Sequence, residues 1–434
     1  MKYYIQIFGC QMNKSDAERV ASLLDSIGYK QTDKRDNADL IVLVTCSVRL
    51  SAENRVYGLL KNIRKLKKSR PEIKTILTGC MAQQKDAVRK MKDVDIILNI
   101  KDLKQLPELL NKKIEQKNIE SYFSIQPKYE SSFTAYVPIM TGCNNFCTYC
   151  IVPYVRGREE SRQPEDILNE VKELVANGYK EIFLLGQNVN SYKPSVVGGS
   201  IKLTMTTAGI KDFPDLLESI AKIKGEFWIR FLTSHPKDLS DKLIKVIAKN
   251  KKITEWINLP MQAGDNSILK AMNRKYTVQD YKKLAQKIRK NIPDVSLSTD
   301  IIVGFPGETK EIFEKSAKTF EELHFDMAYI NQYSVRKGTA AAKLKDDVTI
   351  AEKKRRDKVL TQLLKKSGLE NNKKLVGKTI DVLIDNKKGD TLFGKSRGFK
   401  VVKIKSDLNL LGKFVKVKII KAGNFGLIGE YIKE

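Results

Sequence analysis

The sequence predicts an α/β protein in three parts: an open parallel α/β domain, then an incomplete barrel of parallel strand and helix units, then a small all-β barrel. Three observations carry this. Apolar runs alternate with segments of helical periodicity from the amino terminus; six further strand-like runs recur with helices between them; and the last segment is rich in β-branched residues, glycines and short turns.

In the first part, YYIQIFG, LIVLVT and TILTG read as strands, with SDAERVASLLDSIGY and AENRVYGLLKNIRKL as amphipathic helices between them. Each strand ends on or beside a cysteine: Cys10, Cys46 and Cys80. Loops at the carboxyl ends of an open parallel sheet gather along one edge and form its ligand site. Three cysteines far apart in sequence can therefore converge there as a three-thiolate cluster site, the plainer alternative being three independently buried thiols.

Two breaks divide the chain, one in the polar stretch NKKIEQKNIESYFSIQPKYESS and one after the charged helix TIAEKKRRDKVLTQLLKKSGLENNKK. They suggest domains at 1–117, 129–365 and 368–434. Between the breaks AYVPIM, EIFLLG, FWIRFL, WINLPM, VSLSTDIIVGF and DMAYINQYSV form the six strand units, with functional loops expected at their carboxyl ends.

The loop after the first of these strands carries Cys143-x-x-x-Cys147-x-x-Cys150. Three thiolates on one short loop can hold three corners of a cubane iron–sulfur cluster and leave the fourth iron open to a substrate or cofactor. A structural zinc site wants four closed ligands, and no fourth Cys or His lies near; the chain has only two histidines, His235 and His324. Buried cysteines packed as small apolar groups are the bland alternative.

Six cysteines in 434 residues without a secretion-signal pattern point to a reducing compartment, where thiols serve metals more often than disulfides. No apolar stretch is long enough for a membrane span, so a soluble cytoplasmic protein with no membrane partner is expected. The formal net charge of +28 favours a polyanionic partner such as nucleic acid, against a lysine-rich composition spread over every helix. From Glu370 onward the chain carries 15 Lys or Arg against 7 Asp or Glu. A basic barrel with Phe399 and Phe414 exposed suits RNA contact, unless both rings belong to the barrel core.

The triplet GCNNFCTYCIVPYVRGREESR resembles radical S-adenosylmethionine (radical SAM) enzymes, and the whole chain resembles the methylthiotransferase family. FGCQMNKSDAE, GCMAQ, FLLGQNVNSY, TSHP, LSTDIIVGFPGET and YSVRKGTAAAKL look most like its MiaB-type branch, which acts on tRNA. The resemblance implies an amino-terminal flavodoxin-like cluster domain, a partial (β/α) barrel radical-SAM core and a carboxyl-terminal TRAM barrel. It implies a transferase with two 4Fe–4S clusters and S-adenosylmethionine as cofactors. Cys143, Cys147 and Cys150 would hold the cluster that cleaves S-adenosylmethionine, and Cys10, Cys46 and Cys80 the cluster that delivers sulfur.

The implied acceptor is C2 of isopentenyladenosine beside the anticodon, in the anticodon stem-loop of tRNA. The same chemistry on threonylcarbamoyladenosine or on a ribosomal protein side chain, and a non-catalytic iron–sulfur RNA-binding protein, are the alternatives. The implied partners are an electron donor such as flavodoxin or ferredoxin and a sulfur donor system, serving a monomer. Tyr149 matches the aromatic near the adenine of S-adenosylmethionine. Gln187, Asn188, Ser234, Gln262, Asp300 and Gly304 sit at or near strand ends and could reach cofactor or substrate, or simply form turns.

The chain departs from many relatives with Val44 and with Asn258 before the LPxQ motif, which bears on substrate contacts rather than cluster ligands. The long stretch SYKPSVVGGSIKLTMTTAGIKDF is expected near the substrate entrance, or is a tolerated insertion.

Overall fold

The computed structural model describes every residue except 49, 113–118, 120, 195–208, 233 and 434. Most of the stretch expected at the substrate entrance therefore lies outside the described residues. The chain forms two compact units: Met1–Ser131 with Tyr136–Asn145 and Cys150–Arg162, and Ser132–Ala135 with Phe146–Tyr149 and Gln163–Glu434.

The first unit is built on a five-stranded sheet of β1 (Lys2–Ile7), β2 (Lys30–Gln31), β3 (Leu40–Thr45), β4 (Lys74–Gly79) and β5 (Ile96–Ile97), in the order β2-β1-β3-β4-β5. Every pairing is parallel. Strand–helix alternation predicts a parallel α/β domain, and this order is the flavodoxin-like one the resemblance implies, with its switch point between β1 and β3. All six residues of β3 are buried. Leu40, Val42 and Val44 pack into one core, Ile41 and Leu43 into another, so the sheet is covered on both faces. A two-sided burial needs a continuous apolar run, which is why LIVLVT lacks polar alternation.

The second unit is built on parallel strands with intervening helices. Here β9 (Glu181–Leu185) and β10 (Trp228–Phe231) pair in parallel, and the first two residues of β6 (Thr134–Pro138) belong to the same unit. Strands β11 (Trp256–Asn258), β12 (Ser296–Val303) and β13 (Met327–Gln332) form a further sheet, ordered β11-β12-β13. A parallel bridge from Ile229 to Ile253 joins the edge of β10 to the segment entering β11, so the sheets continue into an incomplete barrel. Each of the six expected runs supplies a strand. A hairpin of β7 (Met140–Thr141) and β8 (Glu160–Ser161) belongs to the first unit.

The carboxyl-terminal strands β14 (Thr379–Lys388), β15 (Thr391–Ser396), β16 (Val401–Lys405), β17 (Phe414–Ala422) and β18 (Gly426–Tyr431) close as β14-β15-β16-β18-β17. Val382, Ile384, Leu392, Val402, Ile404, Val417, Ile419 and Leu427 fill the interior. Closure leaves no strand edge open.

This small barrel docks on the amino-terminal ends of the larger barrel's strands. Trp256, the first residue of β11, stacks on Phe399 with centroids 4.1 Å apart, and Trp228, the first of β10, meets Phe414 at 4.6 Å. Phe399 and Phe414 are thus neither free stacking platforms nor interior residues of the small barrel. Arg230, 1% exposed, donates from Nη1 to the Arg397 carbonyl at 2.7 Å and from Nη2 to the Ser396 carbonyl at 2.8 Å, while its Nε reaches Glu181 at 2.6 Å. Arg397 in turn binds Glu255 at 2.6 Å, and Lys400 binds Asp326 at 2.6 Å.

Candidate functional site: two cysteine triads

The strand ends of the first unit place Cys10 after β1, Cys46 after β3 and Cys80 after β4. Cys10 and Cys46 flank the switch point of the sheet, the crevice where such folds hold ligands. Glycines let the strand ends approach: a Cβ on Gly9 (φ +143°) would stand 2.8 Å from Cys46 Cβ, and one on Gly79 (φ +86°) 2.4 Å from the Thr45 carbonyl. Neither position has room for a side chain.

Asn13, fully buried in the first turn of the helix Gln11–Ser26, ties this edge together. Its Nδ2 donates to the Thr45 carbonyl at 3.0 Å, and its Oδ1 accepts from the Cys10 thiol at 3.4 Å. The Val48 N–H donates to Cys46 Sγ at 3.3 Å. Cys10 keeps accessible surface at the edge, yet the protein packed around its sulfur pushes the thiol pKa up; Arg156 opposes that rise and nearby Cys80 adds to it.

Cys80 is held from a distant part of the chain. The short helix Val152–Val155 sets Ile151 and Val155 against it, and Arg156 Nε donates to Cys80 Sγ at 3.4 Å. The same guanidinium grips Asp16 at 2.5 Å through Nη2, and Tyr122 donates to Asp16 Oδ1 at 2.7 Å. Burial works against the Arg156 charge, but Asp16 and Cys80 outweigh it and hold its pKa above the ordinary value.

Within the first unit, Cys143 donates its N–H to the Gly157 carbonyl at 3.1 Å and accepts from Asn145 Nδ2 at 3.6 Å; Cys150 is half-buried. Within the second unit, Cys147 accepts from Arg274 Nη1 at 3.4 Å. Residues 146–149 are clamped there. Asn273 Nδ2 donates to the Phe146 carbonyl at 3.1 Å, the Thr148 N–H to the Met272 carbonyl at 3.1 Å, and the Ala341 N–H to the Thr148 carbonyl at 2.8 Å. Tyr149 packs at the margin of the core formed by Ala263, Phe305 and Tyr333.

Arg274 itself is buried, with Nη2 on the Pro260 carbonyl at 3.2 Å and Nε on Tyr276 Oη at 2.9 Å. His235 lies across the Tyr276 ring at 5.7 Å. Burial, then Arg274 and Lys237, push its pKa down to about 2, so it is neutral at physiological pH.

The remaining sequence candidates belong to the second unit: Gln187, Asn188, Ser234, Gln262 and Gly304 follow strands, whereas Asp300 lies within β12. Gln187 and Asn188 follow β9, and Asn188 Nδ2 donates to Asp238 at 2.7 Å. Ser234 follows β10 and donates to Asn190 Oδ1 at 3.3 Å. Gln262 has φ +66° and joins β12 through its backbone N–H, 2.8 Å from the Asp300 carbonyl. Asp300 accepts from Asn258 Nδ2 at 2.9 Å, Ser298 donates to Asn258 Oδ1 at 2.9 Å, and Trp256 Nε1 donates to Ser298 at 3.0 Å. The departure at Asn258 thus completes a polar ladder along β11 and β12. Gly304 turns tightly under Lys353, whose Cγ stands 2.3 Å from where a Cβ would be. Asn13 could have been suspected from its place three residues after Cys10; Asp16, Arg156, Asn273, Arg274 and Tyr276 gave no sequence signal.

None of the six cysteines is in a disulfide. Among the described residues no three Cys, His, Asp or Glu side chains stand at metal-ligating distance. The donor chemistry nonetheless suits an iron–sulfur cluster: one triad shares a sheet edge, the other a short loop, and N–H groups are aimed at cysteine sulfurs in both, the kind of hydrogen bonding that tunes such clusters.

An incomplete parallel barrel with a three-cysteine loop after its first strand defines a class, that of the radical SAM enzymes. The Radical SAM superfamily model matches residues 137–320, the TRAM domain 373–432, and the Uncharacterized protein family UPF0004 residues 2–99. A solved radical S-adenosylmethionine methyltransferase, TsrM from Kitasatospora setae with cobalamin and a 4Fe–4S cluster bound, shares the fold at TM-score 0.52 and 12% identity, over 89% of this chain and 79% of that one.

A tRNA-2-methylthio-N(6)-dimethylallyladenosine synthase of Clostridium botulinum (strain Loch Maree / Type A3) is 44% identical over 99% of this chain and 97% of its own length. One from Caldicellulosiruptor saccharolyticus is 43% identical over 99% of this chain and 92% of its own. The chain belongs to this family of tRNA methylthiotransferases, radical SAM enzymes whose membership implies S-adenosylmethionine and 4Fe–4S clusters as cofactors.

Proposed function

We propose that this chain adds a methylthio group to C2 of isopentenyladenosine next to the anticodon of tRNA. The observation that carries the reading is the presence of two separate cysteine triads in a chain aligned end to end with tRNA-2-methylthio-N(6)-dimethylallyladenosine synthases. Cys143, Cys147 and Cys150 would hold the cluster that binds S-adenosylmethionine, and Cys10, Cys46 and Cys80 the one at which sulfur is handed over. When bound, these groups supply one-electron cleavage of S-adenosylmethionine to a hydrogen-abstracting radical, together with the sulfur and methyl donors.

The chain's own residues prepare that chemistry. Asn273, Met272 and Ala341 fix the backbone of the loop around Cys147, and Arg274 orients its sulfur. Asn13 and Arg156 do the same for Cys10 and Cys80. Tyr149, Gln187, Asn188, Ser234, Gln262, Asp300 and Gly304 line the approach of cofactor and substrate along the strand ends. The working modules are 1–117 for the sulfur site, 129–365 for the radical core and 368–434 for RNA grip. The setting is the cytoplasm, where a monomer draws electrons from a donor such as flavodoxin or ferredoxin and sulfur from a dedicated donor system.

Mass spectrometry of tRNA nucleosides from cells with and without the gene tests the reading. Loss of 2-methylthio-isopentenyladenosine is expected. An unchanged peak, or loss of the methylthio derivative of threonylcarbamoyladenosine instead, would overturn it. Anaerobically reconstituted protein should carry about eight irons, and Cys147→Ala about half of them.

A further inference from the structure

The segment after Cys150 does more than finish its own loop. Arg156 lies six residues beyond Cys150, yet its Nε–H points at Cys80, a cysteine of the other triad, 3.4 Å away. It is 3% exposed, and its anchor Asp16 is fully buried. Two arms of the guanidinium go to Asp16, Nη1 at 3.3 Å and Nη2 at 2.5 Å, and Tyr122 fixes Asp16 from behind at 2.7 Å. Ile151 and Val155 complete the contact by packing on Cys80.

We propose that Arg156 is a positioning residue that couples the two cysteine sites, holding the Cys80 sulfur by one N–H while Asp16 holds the guanidinium in register. A buried ion pair needs only the two arms on Asp16. The third N–H, spent on a sulfur, is what an ion pair of purely structural use would not require. Lysine could not substitute, because an ammonium is a compact charge on a flexible stem, whereas the planar fork presents several donors in fixed directions. N–H bonds to cysteine sulfurs stabilise the reduced, more negative state of an iron–sulfur cluster and raise its potential. Because the donor sits on the peptide leaving Cys150, ordering of the one loop is transmitted to the sulfur of the other site.

The inference rests on the reading of the six cysteines as two cluster sites, and its test separates the two claims. Full-length protein carrying Cys147→Ala, reconstituted with iron and sulfide, isolates the amino-terminal site; its midpoint potential is read by titration followed with electron paramagnetic resonance. Adding Arg156→Lys should leave the iron content in place and shift that potential downward. Asp16→Asn, which keeps Arg156 but loosens its anchor, should shift it less in the same direction. A Cys147→Ala protein without iron overturns both readings at the outset. An iron-loaded one whose potential ignores Arg156→Lys, or an Arg156→Lys variant that simply sheds its iron, overturns the coupling alone.

Discussion

Replacing Arg230 by Met should loosen the small carboxyl-terminal barrel from the strand ends it covers. Arg230 and Glu181 meet at 2.6 Å with side chains 0% and 6% exposed. At an effective dielectric near 20 the bare attraction at that distance is about 6 kcal/mol, set against the desolvation of both groups. Removing one partner of such a pair strands the other charge and costs about 3–5 kcal/mol. With a urea dependence of about 2–3 kcal/mol/M, the midpoint should fall by about 1–2.5 M. The chain carries its own reporter: its only two tryptophans, Trp228 and Trp256, are 6% and 3% exposed against Phe414 and Phe399. Their emission should move to the red in a transition at lower urea in Arg230→Met. The double variant Arg230→Met with Glu181→Met should recover much of the loss, since no charge is left buried. A single variant within about 0.5 kcal/mol of the parent, or a double variant no better than the single, would refute the reasoning.

Cys46→Ala should still cleave S-adenosylmethionine reductively to 5′-deoxyadenosine while forming no methylthio product, as chromatography of the reaction would show; normal product would dismiss the division of labour. Lys403 and Lys421 are exposed and both lie in register with Ile428 on β18, so changing both to Gln should reduce the salt dependence of tRNA binding by about 1.4–1.8 in log–log slope, without unseating the barrel. Identical slopes would place the RNA elsewhere. Burial pushes the Glu18 carboxyl up to about 7, so between its unfolded pKa and that value the native state holds the extra proton and stability falls as pH rises. The loss from pH 4.5 to pH 8 should be about 3 kcal/mol, and Glu18→Gln should remove that slope from denaturation curves followed across the range.

What the sequence revealed tracks what burial and local geometry demand. LIVLVT announced a central strand because both faces of β3 are covered. The cysteines could be placed at strand ends because the apolar runs stop there. The charged residues that serve them were invisible for the opposite reason: Arg156 in YVRGRE carries no periodicity or motif signal, and only the tertiary fold buries it beside Asp16. Arg274 is hidden in the same way. In TSHP the serine is the residue that stands out, whereas burial, then Arg274 and Lys237, lower the proton affinity of His235 beside it. The alternatives for Phe399 and Phe414, solvent or the small barrel's interior, left out a third environment that no periodicity encodes, the ends of other strands.

With the RNA grip proposed for it, the seat of the small barrel would make the enzyme a measuring device. Chemistry in such folds belongs beyond the carboxyl ends of the strands, whereas Arg397, Phe399 and Phe414 hold the small barrel at the opposite ends. The 8-residue strand β12 sets the separation at about 26 Å. If the small barrel supplies the RNA grip proposed for it, the RNA must bridge that length, and a stem that is too short or bent the wrong way would present no base to the reacting end, whatever its sequence.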